Sequence, residues 1–264
     1  MNIGFIGCGN MGSAILTGIL SQHLFNEDEI CCSAKTQASL DNIKEKFGVK
    51  TSLDNRAVAQ ESDIVFLAIK PQFLSDVIDE IKDLDLSKKL IISIVAGQSI
   101  EKLTSMFGQN LKIARVMPNT PAMVQEAMSA ISFSNNVGPE DETITMDIFS
   151  SLGKAEIIPE RLQDAVVGVS GSSPAYVYMF IEALADGAVA EGMPRAMAYK
   201  FAAQSVLGSA KMVLETGKHP GELKDAVCSP AGTTIEAVAT LEAMGFRNAV
   251  IEAERVCTEK SRKL

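Results

Sequence analysis

Two hydrophobic rhythms divide the chain. In the first part, short and nearly continuous apolar runs alternate with amphipathic stretches. Met1-Asn2-Ile3-Gly4-Phe5-Ile6, Glu29-Ile30-Cys31-Cys32-Ser33-Ala34, Asp63-Ile64-Val65-Phe66-Leu67-Ala68-Ile69 and Leu90-Ile91-Ile92-Ser93-Ile94-Val95-Ala96 each read as a strand. Runs that are apolar at successive positions fit strands covered on both faces, as in a parallel sheet between helices. A helix over residues 13–20 follows the first run. Lys112-Ile113-Ala114-Arg115-Val116-Met117 reads as a further strand, ending at the polar loop Pro118-Asn119-Thr120-Pro121. This alternation predicts a doubly wound α/β domain.

The rhythm changes after Pro159, and from Arg161 onward no stretch is rich in β-formers. Ser173-Pro174 opens a helix, with Ser suited to the N-cap and Pro to the first helical position. Val177, Phe180, Ile181, Leu184, Ala185 and Ala188 then recur at helical spacing. Gly192-Met193-Pro194 breaks that helix, residues 195–214 form another, Thr216 to Gly221 is a turn, and residues 246–260 form a last helix. The helices of this half are apolar over wide faces, a surface best buried against a second copy of the chain. The expected organisation is an α/β domain over residues 1–159 followed by an all-helical dimerisation domain over 160–264.

The strand ends carry the chemistry. Gly7-Cys8-Gly9-Asn10-Met11-Gly12 is a complete G-x-G-x-x-G between the first strand and its helix, the context that the dinucleotide fingerprint requires. Gly7 makes the tight turn, Gly9 lets a pyrophosphate approach the backbone, and Gly12 lets helix and strand pack closely. The first domain is therefore expected to be a Rossmann-type parallel-sheet domain. The second strand ends in Ser33-Ala34-Lys35-Thr36, with no carboxylate before Asp41. An acidic residue there would hold the ribose hydroxyls of NAD. A lysine and hydroxyls suit the 2′-phosphate of NADP instead, so NADPH is the expected cofactor, with NADH as the alternative. Ligands in such sheets lie beyond the carboxyl ends of the strands, which places Ile6, Ala68-Ile69-Lys70-Pro71 and Val95-Ala96-Gly97 beside the cofactor, and makes Asn119 a further candidate.

Composition narrows the classes. The net charge is −9 over 264 residues, which argues against a nucleic-acid partner, since such proteins carry a basic face. No apolar run reaches the ~18 residues of a membrane span, and the first strand starting at residue 2 leaves no room for a signal peptide. The five cysteines are scattered, with no Cys-x-x-Cys, and read as reduced thiols in a cytoplasmic protein. Only His23 and His219 are histidines, so no metal site is expected.

Near the C-terminus, Cys228-Ser229-Pro230-Ala231-Gly232-Thr233-Thr234-Ile235 is a small-residue turn feeding a helix. Helix starts carry unpaired N–H groups and partial positive charge, so this turn can grip an anion, with the Thr233 and Thr234 hydroxyls beside it. Carbonyl reduction would recruit a positioned acid, and the two histidines stand alone in loop-like settings. A protonated imine needs mainly orientation, an anion cradle and a hydrogen bond to nitrogen. A hydroxyacid dehydrogenase of similar build would place Lys or His on the first long helix of the second domain, and Tyr176 to Val189 contains neither. A non-catalytic NADP sensor would leave the Ser229–Thr234 turn without a purpose.

From Pro220 to Glu242 the chain resembles the signature of the pyrroline-5-carboxylate reductase family, through Pro220, Leu223, Val227-Cys228-Ser229, Gly232, Thr234, Ala237-Val238 and Leu241-Glu242. Gly7 to Gly12, Ala68 to Pro71, Met117 to Pro121 and Gly171-Ser172-Ser173-Pro174-Ala175-Tyr176 resemble that family in order and spacing. The resemblance implies a Rossmann domain, a helical dimerisation domain and reduction of 1-pyrroline-5-carboxylate to L-proline with NADPH or NADH. It implies that Ser229 and the N–H groups of Gly232 and Thr233 hold the substrate carboxylate, and that the Thr234 hydroxyl addresses the ring nitrogen as the catalytic contact. It implies a cofactor contact at Asn55. The expected partners are a small cyclic imino acid and a second copy of the chain, with a decamer of dimers as the larger assembly. Ala231 stands where many relatives have Gly, and a positive φ there would strain it.

Overall fold

In the computed structural model, which describes residues 1–263, the alternating runs become an eight-stranded sheet of order β3-β2-β1-β4-β5-β6-β7-β8. The strands are β1 (Ile3–Ile6), β2 (Ile30–Ser33), β3 (Lys50–Ser52), β4 (Ile64–Leu67), β5 (Leu90–Ser93), β6 (Lys112–Met117), β7 (Ala127–Phe133) and β8 (Gly153–Ile157). The six strands from β3 to β6 are parallel, β7 pairs antiparallel with β6, and β8 runs parallel to β7. The chain moves outward from β1 through β2 to β3, then returns to the other side of β1 at β4. The crevice between β1 and β4 is thus the point where strand order reverses, the position at which such sheets bind ligands.

The helices of this part are α1 (Asn10–Ser21), α2 (Gln37–Phe47), α3 (Asn55–Glu61), α4 (Leu74–Ile81), α5 (Ile100–Phe107), α6 (Pro139–Ser150) and α7 (Gln163–Val166). The cores on the two faces follow strand alternation. One contains Ile3, Phe5, Phe66, Ile92 and Phe149, and the other Ile6, Val65, Leu67, Ile91 and Ile113. Phe5 and Phe66 stack with centroids 4.4 Å apart, and Phe149 packs on Phe66 at 6.3 Å. Each such fully buried ring contributes about 1.5–3 kcal/mol through burial.

The strands stop earlier than their apolar runs. β4 ends at Leu67 and β5 at Ser93, so Ala68-Ile69 and Val95-Ala96 are loop rather than strand. At β5 the Ser93 hydroxyl accepts the Val95 N–H, and Gly97 takes φ +71°, turning the chain off the sheet.

The chain forms two compact units, one of Met1–Gly171 with the tail from Cys257, the other of Ser172–Val256. Residues 160–171 thus pack with the sheet rather than with the helices that follow. Glu160 accepts hydrogen bonds from the buried Arg115 guanidinium (3.0 Å) and the Ile100 N–H (2.7 Å). Gln163, with no exposed surface, donates its amide to Ser132 Oγ at 2.9 Å and to Ala130 O at 3.3 Å. The tail returns to the same place, where Ser261 Oγ donates to Asp164 Oδ1 at 2.7 Å.

The second unit is helical: α8 (Ser173–Ala190), α9 (Arg195–Thr216), α10 (Pro220–Val227), α11 (Thr233–Ala243) and most of α12 (Phe246–Ser261). The α8–α9 pair is held by an Arg195–Asp186 ion pair and by small buried residues Ala185, Ala198 and Ala202. Phe180 packs against Phe246 at 6.0 Å. Many large apolar side chains remain uncovered in the single copy, Phe201 (65%), Met179 (69%) and Ile251 (63%) among them. α8 also begins differently from its sequence signal. Ser173 is already helical, Ser172 occupies the cap position with helical φ and ψ, and a π-turn over Val167–Gly171 runs directly into it.

Candidate active site

The first cluster lies on the carboxyl edge of the sheet. Strand register brings Ile6 level with Ser33 on one side and Leu67 on the other, and Leu67 level with Ser93. The predicted loops after β1, β2, β4 and β5 therefore emerge side by side. Gly7 takes φ +82°, and a Cβ there would lie 2.5 Å from Ile69 Cγ2 and 2.8 Å from the Ala68 carbonyl oxygen. That contact makes the turn after β1 dependent on glycine and packs the Ala68–Ile69 segment against it. At Gly12 a Cβ would rest 3.5 Å from Ala68 Cβ, the close helix–strand approach expected.

Gly9 is different. It caps α1 with extended backbone, no side chain fills the cap, and the first turn carries no acidic residue. Nothing lies within 4 Å of where its Cβ would be. Free N–H groups, the helix dipole and open space fit a bound pyrophosphate. Ile6 and Val95 are buried in the core, so only their backbone faces this edge. Cys8 is half-buried, its thiol 3.7 Å from Ser13 Oγ. Its pKa is held below the ordinary thiol value, chiefly by the hydrogen bond from Cys32, whose own pKa that bond and burial push up. All five cysteines are free thiols.

Beyond β2 the polar groups divide. Ser33 points inward, its hydroxyl donating to Asn55 Oδ1 at 2.6 Å. Thr36 caps α2, its Oγ1 accepting the Ser39 N–H at 3.3 Å. Lys35 is exposed, its ammonium 5.3 Å above the Phe73 ring. An exposed cation–π contact of this kind is worth about 0.5–1 kcal/mol, weak enough for the lysine to turn to a phosphate. Asn55 begins α3, and its Nδ2 donates to Glu80 Oε2 at 2.7 Å. Phe73 and Glu80 were not singled out from the sequence. The signal available for Phe73 was its place just after the Lys70-Pro71 strand end; Glu80 had none. Asn119 has both ends of its amide engaged by protein, Nδ2 donating to Ser170 O and Oδ1 accepting the Met128 N–H.

The second cluster belongs to the helical unit. Ser229-Pro230-Ala231-Gly232 is a β-turn closed by the Gly232 N–H donating to Ser229 O at 3.0 Å. Proline suits the second position of such a turn, and the third calls for positive φ. Ala231 takes φ +55°, the strain anticipated from the sequence. Closure of the turn engages the Gly232 N–H with Ser229 O, and the N–H groups of Thr233 and Thr234 stand at the start of α11. Gly232 is the cap of α11 and has no side chain to fill it. A Cβ at Gly232 would lie 2.3 Å from Ser229 Oγ, so glycine keeps the serine hydroxyl beside the helix start. Replacing Ala231 by Gly is expected to raise stability by about 0.5–1 kcal/mol, the left-handed penalty less the added chain entropy, and calorimetry of the two proteins checks this.

His219 caps α10, its Nδ1 accepting the Gly221 N–H at 3.0 Å. Among the described residues no group of three or more His, Cys, Asp or Glu side chains could hold a metal ion. No helix among them is long and apolar enough to cross a membrane.

A Rossmann-type sheet with an anion-ready glycine turn, followed by a helical unit with a second anion-ready turn, defines a nicotinamide-dependent oxidoreductase of two-domain build. Residues 160–264 match the family model for pyrroline-5-carboxylate reductase dimerisation, and residues 2–97 match that for NADP oxidoreductase, coenzyme F420-dependent. The chain is 52% identical to the pyrroline-5-carboxylate reductase of Escherichia coli over 99% of its length and 97% of that protein, and 47% identical to that of Methanosarcina acetivorans over the same shares. It is also similar to the crystal structure of the Plasmodium falciparum pyrroline carboxylate reductase with NADP bound, with a TM-score of 0.91, 34% identity, and coverage of 100% of this chain and 97% of that one. The chain belongs to the pyrroline-5-carboxylate reductase family. It is an oxidoreductase, and it forms homo-oligomers through its helical domain.

Proposed function

We propose that the two clusters divide the reduction of 1-pyrroline-5-carboxylate to L-proline between them. The glycine turn after β1 and the first turn of α1 hold the cofactor pyrophosphate, and Lys35 addresses the 2′-phosphate. Ala68 to Pro71, Val95 to Gly97 and Asn55 line the same edge. NADPH, when bound, supplies the hydride. On the helical unit, Ser229 Oγ and the N–H groups of Thr233 and Thr234 hold the substrate carboxylate. The Thr234 hydroxyl hydrogen-bonds the ring nitrogen, orients the imine and holds the proton at that atom. The observation that carries this reading is the Ser229–Gly232 turn, closed at 3.0 Å on an uncapped helix start. Such a start binds an anion without needing a lysine or arginine.

The direct experiment is NADPH oxidation by the purified protein with 1-pyrroline-5-carboxylate; folded protein without turnover sinks the reading. Thr234→Ala is expected to lower kcat/KM about tenfold or more, on the scale of one hydrogen bond in the site. An unchanged rate removes Thr234 from the mechanism. The uncovered apolar side chains of the helical unit support a homodimer, with a decamer of dimers as the larger assembly. Sedimentation velocity separates the two. Five free thiols support residence in a reducing compartment, the cytoplasm.

A further inference from the structure

Phe73 is the one exposed aromatic ring of the sheet unit among the described residues, with 41% of its surface open. Packing does not account for it, since an uncovered ring leaves apolar surface in water. Its backbone is well fixed. Pro71 opens the single turn Pro71–Phe73, and the Phe73 N–H donates to Lys70 O at 3.0 Å. The ring is thus presented from the loop after β4.

Its partner comes from the loop after β2. The Lys35 ammonium stands 5.3 Å from the ring centroid. β2 and β4 flank β1 in the sheet, so this pair meets across the groove beside the glycine turn. The adenosine half of a dinucleotide runs from the pyrophosphate at the helix start toward the end of the second strand. Adenine hangs from the ribose carbon next to the one that carries the 2′-phosphate. A base whose 2′-phosphate pairs with Lys35 therefore lies between the two loops, where Phe73 offers an aromatic face.

Base and ammonium compete for that face. Stacking of a base on an aromatic ring outweighs an exposed cation–π contact, so the base takes the ring. With NADPH the displaced ammonium gains the 2′-phosphate. With NADH it gains nothing, and the broken contact counts against binding.

We propose that Phe73 is a specificity-determining residue for the cofactor: its ring stacks on adenine in exchange for Lys35, and the exchange favours the dinucleotide that carries a 2′-phosphate. The inference rests on the reductase reading, with NADPH held at the glycine turn.

The test measures dissociation constants for NADPH and NADH by nucleotide fluorescence. It uses the wild type, Lys35→Ala, Phe73→Leu and the double variant. Lys35→Ala should bind NADPH about tenfold or more weakly, through loss of a charge-assisted contact. It should bind NADH about two- to fivefold more tightly, because no cation–π contact has to be broken. A lysine that acts only as a positive charge near an anionic cofactor predicts the opposite sign. Phe73→Leu should weaken both cofactors by about threefold or more, since the base loses its stacking partner. In the Phe73→Leu background, Lys35→Ala should change NADH affinity by less than about 1.5-fold, the coupling having gone with the ring. NADH binding that is unchanged or weaker in Lys35→Ala overturns the proposal. So does an equal NADH gain with and without the ring, or unchanged affinity for both cofactors in Phe73→Leu. Both side chains are exposed, and melting curves without cofactor verify that the variants fold. A folded wild type that binds neither cofactor refutes the reductase reading itself. A wild type that binds NADPH, with no NADH gain in Lys35→Ala, refutes only the exchange.

Discussion

Gly9→Asp should yield a protein that folds as well as the parent and binds NADPH at least about a hundredfold more weakly, since setting like charges together in a binding site costs several kcal/mol. The expectation comes from separating two jobs that glycine does in one turn. At Gly7 the positive φ and the 2.5 Å approach of Ile69 make any side chain a problem for the fold. At Gly9 nothing lies within 4 Å of an added Cβ, and the extended backbone suits any residue. Asp is in fact a favoured N-cap, worth about 1 kcal/mol over residues that cannot cap. The variant's melting temperature should therefore hold or rise, while the carboxylate occupies the position meant for a phosphate. Thermal melting and fluorescence titration with NADPH read the two effects separately. Loss of binding together with loss of stability would mean that Gly9 serves the fold; unchanged binding would move the pyrophosphate away from α1.

Gly232→Ala should raise KM for the imino acid by about ten- to a hundredfold, the scale of hydrogen bonds to a charged group, with the KM for NADPH unchanged. Its backbone has φ −83°, which alanine adopts freely, so no strain enters there. The added methyl would lie 2.3 Å from Ser229 Oγ and 3.1 Å from Ser229 O. The serine hydroxyl can escape only by rotating away from the start of α11. That rotation spares the fold and removes the one side-chain hydroxyl from the carboxylate cradle. Steady-state kinetics with each substrate varied in turn measures the split. Equal rises in both constants would point to a general disturbance, and no change would take Ser229 out of substrate binding.

How much of this was legible beforehand depended on the range over which each feature is encoded. β1, β4 and β5 were readable because apolar runs of that kind are a local property, and the glycine turn because its spacing is contiguous. The strain at Ala231 was readable through the family resemblance, since it stands where many relatives have Gly and a positive φ strains any residue with a Cβ. Features set by distant partners were not. Ser33 looked available to a ribose phosphate, but its hydroxyl is taken by Asn55, 22 residues away. β7 and β8 escaped notice because their mixed small and polar residues, as in Ala127-Met128-Ser129-Ala130, form strands only through pairing with β6 and with each other. Pro159 marked the change of rhythm in the sequence, but the compact unit runs on to Gly171. Gln163 and Glu160 bind residues 160–171 to the sheet through partners at least 31 positions away.

The central claim is that an imine is reduced while the Ser229–Thr234 turn holds its carboxylate. The most direct measurement compares steady-state NADPH oxidation with 1-pyrroline-5-carboxylate and with 1-pyrroline, which lacks the carboxylate. The account predicts one L-proline formed per NADPH consumed with the first. It predicts a kcat/KM at least about tenfold lower with the second, as befits the loss of a charge-assisted cradle. Equal rates on the two imines, or no turnover of the carboxylated one by folded protein, would contradict it.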